Sequence, residues 1–355
     1  QGLQAKGCEV KLYCFYDKNN FATSFEDRFG IKFTVLIDDY RGSKLKKFKK
    51  TLGGIVALFK ALKVEKFDLV QTFTHYSNII VPVISRLSSR KTKVITSQRA
   101  SIPPLGKHVV FLDRLIQNSF FVDKMTCVSR SIYESCVLEE KIYPHKLVVI
   151  PNGISTLTVK LSRDELRNEL SIDKESIVFI TVARFHEQKG YEYLVNAIKK
   201  IHENRLLNYV FVFVGSGDLR DEIRKISIRL SISEKIIFLG ERSDIPDLLN
   251  MSDVFVLPSL WEGMPNSVLE AMASGTAVIA TGVDGTKELI DSGVDGILVP
   301  PADIDSLCSA ILKIGSDESI RNEYSSSALK KVKEQYTNQT TIDRYLQLYN
   351  RELEN

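Results

Sequence analysis

Apolar runs of strand length alternate with helical patterns along nearly the whole chain, and that alternation admits few folds. In the first part the runs fall at Val10–Phe15, Phe33–Ile37, Leu69–Thr72, Val94–Ser97, Lys124–Val128 and Leu147–Ile150. Helical patterns lie between them, around 53–64, 79–88, 109–120 and 130–140. Pro151-Asn152-Gly153 reads as a turn and the polar segment 154–168 as a linker. The rhythm then restarts, with runs at Ile177–Val182, Val210–Val214, Lys235–Leu239, Val254–Leu257, Ala277–Ala280 and Gly296–Val299. Helices fit 188–203, 218–230, 266–274, 303–315 and 318–335, and a last amphipathic helix fits about Thr340–Glu352. The pattern predicts α/β architecture: two doubly wound parallel-sheet domains in tandem. Ligands of such sheets bind at the carboxyl ends of the strands, so a site is expected in the cleft between two facing sheets.

Composition narrows the function classes. The 355 residues suit two domains of ordinary size. No apolar run approaches the roughly 18 residues of a membrane span, and the chain opens without a secretory signal. It starts at Gln1 rather than Met, which reads as a fragment. Five scattered cysteines without CxxC spacing read as reduced thiols in a cytoplasmic protein, not as a disulfide frame or zinc site. The histidines show no metal spacing, and there is neither a P-loop nor a GxSxG elbow. The net charge of +4 hides a division: residues 1–150 carry 25 Lys and Arg against 13 Asp and Glu, residues 151–355 carry 23 against 31. Halves of opposite sign suggest different partners.

The stretch Trp261–Ala280, WEGMPNSVLEAMASGTAVIA, carries the strongest chemical signal. A loop with Glu262, Gly263, Met264 and Pro265 runs into a helix whose start at Asn266 or Ser267 offers N-cap side chains. A helix start below such a loop is an anion site, because unpaired N–H groups point out of it. Glu262 and Glu270 flank it, and helical rise and turn make their spacing a poor match for a hydrolytic pair. Arg184 and Lys189 follow the first strand of the second half, where they face the ligand end of the sheet. Taken alone they could equally begin a helix and pair with a surface acid. Gly215-Ser216-Gly217 is a near miss for GxGxxG, since Arg220 stands where the third glycine belongs; it is either a nucleotide-approaching turn or a plain one. In the first half, Arg41–Lys50 holds six cations, with Leu45, Phe48 and Leu52 on one helical face. That is a surface for an anionic membrane or a solvated basic helix. His75 lies past a strand and could line the cleft.

Together, VARFHEQKG, FVGSGDL, IIFLGERSDIPDLLNMSDVFVLPSLWEGMPNSVLEAMASGTAVIAT and VDGTKELI…GVDGILVPPAD resemble the retaining GT-B glycosyltransferases of family 4, the group 1 type. The match covers essentially residues 147–350, and Glu262…Glu270 is that family's E-x7-E motif. The first half is similar through FDLVQTFTHYSNII, VITSQRA and DKMTCVSRSIYE…KLVVIPNGI. The resemblance implies an acceptor-side domain at 1–153 completed by a terminal helix at 338–355, a linker at 154–168, and a nucleotide-sugar domain at 169–337. It implies that Arg184 and Lys189 hold the donor diphosphate, that Glu262 with Gly263 and Met264 holds the donor sugar, and that Glu270 takes the ribose. Gly215, Pro265, Asn266 and Ser267 complete the donor set, and His75, Asn78 and Arg99 are cleft or acceptor candidates. Transfer would retain configuration without metal or cofactor, from a UDP- or GDP-sugar to a glycan or lipid-linked acceptor in cell-surface polysaccharide synthesis. The protein would be cytoplasmic, peripheral on the membrane's cytoplasmic face, and would bind no nucleic acid. Two departures stand out. The family's opening strand and Gly-rich loop do not occur, Gln1–Gly7 resembling the tail of the helix that follows them, and Gln98-Arg99 replaces a common histidine. A nucleotide-sugar epimerase or phosphorylase, or a donor-binding module without activity, are the competing readings.

Overall fold

A computed structural model describes residues 1–17, 26, 30–37, 43–100, 106–204 and 208–354. Among these, twelve strands form three wholly parallel sheets. The second half holds β7 (Ile177–Val182), β8 (Tyr209–Val214), β9 (Ile236–Gly240), β10 (Val254–Leu257), β11 (Ala277–Thr281) and β12 (Ile297–Val299). Their order is β12-β11-β10-β7-β8-β9. The uninterrupted apolar runs are explained by burial on both faces. Alternate side chains go to opposite sides. Val178, Ile180, Val212, Val214, Phe255 and Leu257 join one core with the helices Ile245–Met251 and Asn266–Ala273. Phe179, Phe211, Phe213, Val254 and Val256 join the other, with the helices Tyr191–Asn204 and Ile304–Ser316. The strand order reverses between β7 and β10, so a crevice opens at their carboxyl ends.

In the first half, β3 (Leu69–Gln71), β4 (Lys93–Gln98), β5 (Lys124–Cys127) and β6 (Leu147–Val149) form one sheet. β1 (Leu12–Tyr16) pairs with β2 (Phe33–Ile37) in a second, separate sheet. Side chains, not ladder hydrogen bonds, join them: Tyr13, Phe15 and Leu36 share a core with Val70, Val81 and Ile84.

Helices begin earlier than their apolar periodicity suggests. Lys44–Glu65 starts at Ser43, whose hydroxyl accepts from the Lys46 amide at 3.4 Å. His75–Ser88 starts at a Thr74–Ser77 capping box. The segment expected to be a plain linker contains the helix Arg163–Glu169, closed by the Ser162–Glu165 capping box. Arg163 (2.5 Å) and Arg167 (2.8 Å) bind opposite oxygens of Asp253, which also accepts from the Val178 amide at 2.7 Å. These bonds fix that helix to the base of β7 and β10.

The chain passes between the two units twice. Ile154 and Thr337 run side by side as a parallel bridge, with Ile154 N–H donating to Tyr336 (2.8 Å) and Asn338 N–H to Ile154 (3.0 Å). Beyond it, the helix Asn338–Glu354 lies on the first unit. Leu348 is buried with Ile95 and Ile150, and the Tyr349 hydroxyl donates to the Gln71 side chain. No helix among the described residues is long and apolar enough to cross a membrane.

Candidate functional site

Three loops meet at the crevice. The first follows β7 and the second follows β8, and they are zipped together. Ala183 N–H donates to Val214 (3.0 Å) and Phe185 N–H to Ser216 (2.8 Å). Gly215 has φ +140°, and a Cβ there would stand 2.1 Å from the Ala183 carbonyl oxygen, so only glycine fits. Gly217 is held in the same way, at φ +145° with a Cβ 2.4 Å from the Phe185 carbonyl oxygen, so both glycines of the near-miss GxGxxG serve the packing of the two loops. Arg184, between them, is exposed.

The loop after β10 is stitched to the first. Leu260 N–H donates to Gln188 (2.7 Å), and the Gln188 amide donates back to Trp261 (2.8 Å). At the centre, the Lys189 ammonium meets Glu262 Oε1 at 2.5 Å, and the Ser259 hydroxyl donates to the same oxygen at 2.6 Å. Glu262 is only 5% exposed, and its own amide donates to Asp284 at 3.1 Å. A buried carboxylate and a partly buried ammonium therefore neutralise each other at the sheet's switch point.

The helix Asn266–Ala273 opens from this loop with Pro265 at its N-cap, and no side chain caps its first amides. The expected capping by Asn266 or Ser267 does not occur. Asn266 Oδ1 instead accepts from the Asn152 side chain at 2.8 Å, and proline at the cap position supplies no capping oxygen. The uncapped turn leaves its first N–H groups and the positive end of the helix dipole open to an anion. Glu270 lies half-buried, one turn farther on. Only part of the Glu262…Glu270 interval is helical, so the loop, not the helix, aims Glu262.

The first unit touches this loop directly. Arg99 donates to Asn152 Oδ1 at 2.7 Å, and the Asn152 amide donates to the Met264 carbonyl at 3.1 Å. A Cβ on Gly263 would stand 1.9 Å from the Arg99 carbonyl oxygen. Arg99 thus belongs to the site's wall, while Asn78 does not reach it. Asn78 is 1% exposed, accepts from Thr72 (2.5 Å) and donates to the Ser97 carbonyl (3.0 Å). His75 heads its helix with Nε2 buried, without a hydrogen-bond partner and 3.9 Å from Asp113. Burial pushes the Asp113 carboxyl above its ordinary range, against a Gln117 hydrogen bond and the charge of His75. Burial and then Asp113 push Glu140 up to about 7.

Asp284, Ser259, Gln188 and Asn152 escaped the sequence reading as members of the site. Asn152 stands in a turn signal and Asp284 inside a matched motif, so each had a signal, though not one of role. Among the described residues no cluster of His, Cys, Asp and Glu could hold a metal ion. Of the basic stretch Arg41–Lys50, Arg41 and Gly42 lie outside the described residues. The remainder forms the first turns of the helix Lys44–Glu65, with Leu45, Phe48 and Leu52 exposed at 65%, 66% and 52%.

Comparison with known proteins bears on the family and the fold. Residues 162–331 match the family model described as glycosyl transferases group 1, and residues 1–156 the model for glycosyltransferase family 4. A UDP-Gal:alpha-D-GlcNAc-diphosphoundecaprenol alpha-1,3-galactosyltransferase of Escherichia coli is 31% identical over 311 residues, 84% of this chain and 79% of that one. An N,N'-diacetylbacillosaminyl-diphospho-undecaprenol alpha-1,3-N-acetylgalactosaminyltransferase of Campylobacter jejuni is 29% identical, covering 90% of this chain and 86% of its own. Among solved structures, HepE of Anabaena in complex with UDP and glucose superposes with a TM-score of 0.83 at 18% identity, over 95% of this chain and 90% of that one. Sucrose-phosphate synthase of Thermosynechococcus elongatus gives 0.83 at 20%, over 99% and 91%. Two parallel-sheet units, the matched models and the Escherichia coli relative together make this chain a member of the family 4, group 1 glycosyltransferases with the GT-B fold.

Proposed function

We propose that the chain transfers a hexosyl-type sugar from a UDP- or GDP-sugar to a lipid-linked glycan, with retention and without a metal, in the assembly of a cell-surface polysaccharide. The observation that carries the proposal is the partly buried Lys189–Glu262 pair at the switch point, beside an uncapped helix N-terminus. Arg184, Lys189 and the first amides of the helix Asn266–Ala273 receive the diphosphate. They stabilise the charge that grows on it as the glycosidic bond breaks. Glu262, with the backbone of Gly263 and Met264, takes the sugar hydroxyls, and Glu270 takes the ribose. Gly215, Pro265 and Ser267 shape the nucleotide's bed. Arg99 and His75 line the acceptor side. The two relatives, named for transfer to undecaprenyl-diphosphate-linked sugars, support a lipid-linked acceptor. HepE, solved with UDP and glucose, supports a uridine donor. The test is incubation with UDP-Gal, UDP-Glc, UDP-GlcNAc, UDP-GalNAc and GDP-Man, a short polyprenyl-diphosphate sugar, and EDTA. An α-linked product from an α-donor, formed in EDTA, is the expected result. Free sugar phosphate, an epimerised donor, or an inverted linkage would overturn it.

The chain also docks on the cytoplasmic face of an anionic membrane through the start of the helix Lys44–Glu65. The exposed Leu45, Phe48 and Leu52 form an apolar strip flanked by Lys46, Lys47 and Lys49, the composition of an interfacial helix. Flotation with vesicles containing phosphatidylglycerol should retain the protein at low salt and release most of it at about 1 M, where screening lengths fall to about 3 Å. Equal binding to neutral vesicles, or none to anionic ones, would contradict the docking.

A further inference from the structure

We propose that Glu288 is a positioning residue that latches the two units together, and that its segment makes closure of the cleft and placement of Glu262 a single event. Glu288 lies in the second unit, in the short helix Thr286–Leu289. Its carboxylate reaches the first unit and takes the N-terminus of the helix Arg130–Leu138. One oxygen accepts from the Arg130 amide at 2.8 Å; the other accepts from the Ser131 amide at 2.8 Å and the Ser131 hydroxyl at 3.2 Å. The Ile132 amide is served locally by the Ser129 hydroxyl at 3.2 Å. The first two amides of that helix thus depend on a residue from the other unit. A carboxylate there gains from both the free N–H groups and the helix dipole.

The same segment holds the Glu262 loop. Asp284 accepts from the Glu262 amide at 3.1 Å. A Cβ on Gly285 would stand 2.0 Å from the Gly263 carbonyl oxygen and 3.0 Å from Ser129 Cβ. Five residues, Asp284 to Glu288, therefore run from the backbone of Glu262 to the first unit's helix. The far end is steadied as well, because the Tyr336 hydroxyl donates to the Glu288 carbonyl at 3.1 Å beside the crossover. If the units part, the Arg130 and Ser131 amides turn to water and Glu288 loses its partners. The segment then no longer fixes the amide of Glu262 against the first unit. A closed cleft is the state in which all of these bonds coexist.

Only the kinetic arm of the test leans on the donor-site reading of Glu262; the exchange arm stands without it. In Glu288→Ala, amide hydrogen exchange in residues 128–134 should quicken by about tenfold or more in the protein alone, and small-angle scattering should report a larger radius of gyration. With a working donor, KM for it should rise by about tenfold and kcat should change less, as expected when the binding-competent state is depopulated. Glu288→Gln separates latching from packing. Glutamine has the same shape, but only one of its ends can accept, and its NH2 would face an N–H. A latch predicts that Glu288→Gln behaves like Glu288→Ala. Full recovery by glutamine, or unchanged exchange in Glu288→Ala, would overturn the proposal.

Discussion

Lys189→Ala should lower kcat/KM for sugar transfer by about 10²–10³, the range for removing one preorganised group that meets developing charge. Two separate effects add. On the proposed reading the variant loses the cation that meets the leaving diphosphate, and it leaves Glu262, 5% exposed, with Ser259 but without its Lys189 ion pair. A buried carboxylate that loses its ion pair should shift from its place, which would weaken the hold on the sugar that the proposal gives it. Glu262→Ala should cost a similar factor for the mirror reason, because Lys189 is then unbalanced. The double variant should lose less than the product of the two single losses, since both singles break one pair. Initial rates with the preferred donor, alongside thermal melts that show all three variants folded, check this. Rates within threefold of the parent in either single variant would remove Lys189 and Glu262 from the transfer machinery.

Gly263→Ala should be almost as damaging, through a different cause. The added methyl would stand 1.9 Å from the Arg99 carbonyl oxygen, 2.8 Å from its carbon and 3.1 Å from Ala100 Cα. All three are backbone atoms, so no side chain can swing aside to relieve the clash. The two units must move apart instead, carrying Arg99 off Asn152 and the Glu262 loop off the first unit. Misplacement by about 1 Å can cost 10²-fold in rate, so a loss of at least that size is expected. One apolar cluster runs from Met125 and Ile132 in the first unit to Met264 and Leu289 in the second, so the melting temperature should fall as well. Scattering should record an opened molecule, as in Glu288→Ala. Parent-like rates from Gly263→Ala would show that this contact is dispensable to transfer.

Much of the fold was readable because strands buried on both faces must be continuously apolar. Phe179 and Ile180 point to opposite cores, yet both are needed there, which is why the run Ile177–Val182 is unmistakable. Helix starts were less readable, because capping is done by single polar residues. Ser43 begins a long helix inside what looks like a charge run, and Ser162 begins one inside an apparent linker. The position of Arg184, Lys189 and Glu262 past the strand ends was legible. The site's supports were not. Asp284, Asn152 and Glu288 act through partners 22, 114 and 158 residues away, and no local pattern carries such distances. Asn78 was misread for the opposite reason. It lies past a strand like His75, but Thr72 and Ser97 draw it into the interior.

The double crossing at Ile154 and Thr337 has a topological consequence. A single cut in the exposed stretch 155–160 would not free one half from the other. The downstream fragment still carries the helix Asn338–Glu354, whose Leu348 is seated in the upstream fragment's core. The enzyme is therefore a clasp rather than two beads on a string. Neither half is a portable module, because an upstream unit grafted elsewhere would arrive without the helix that closes its underside.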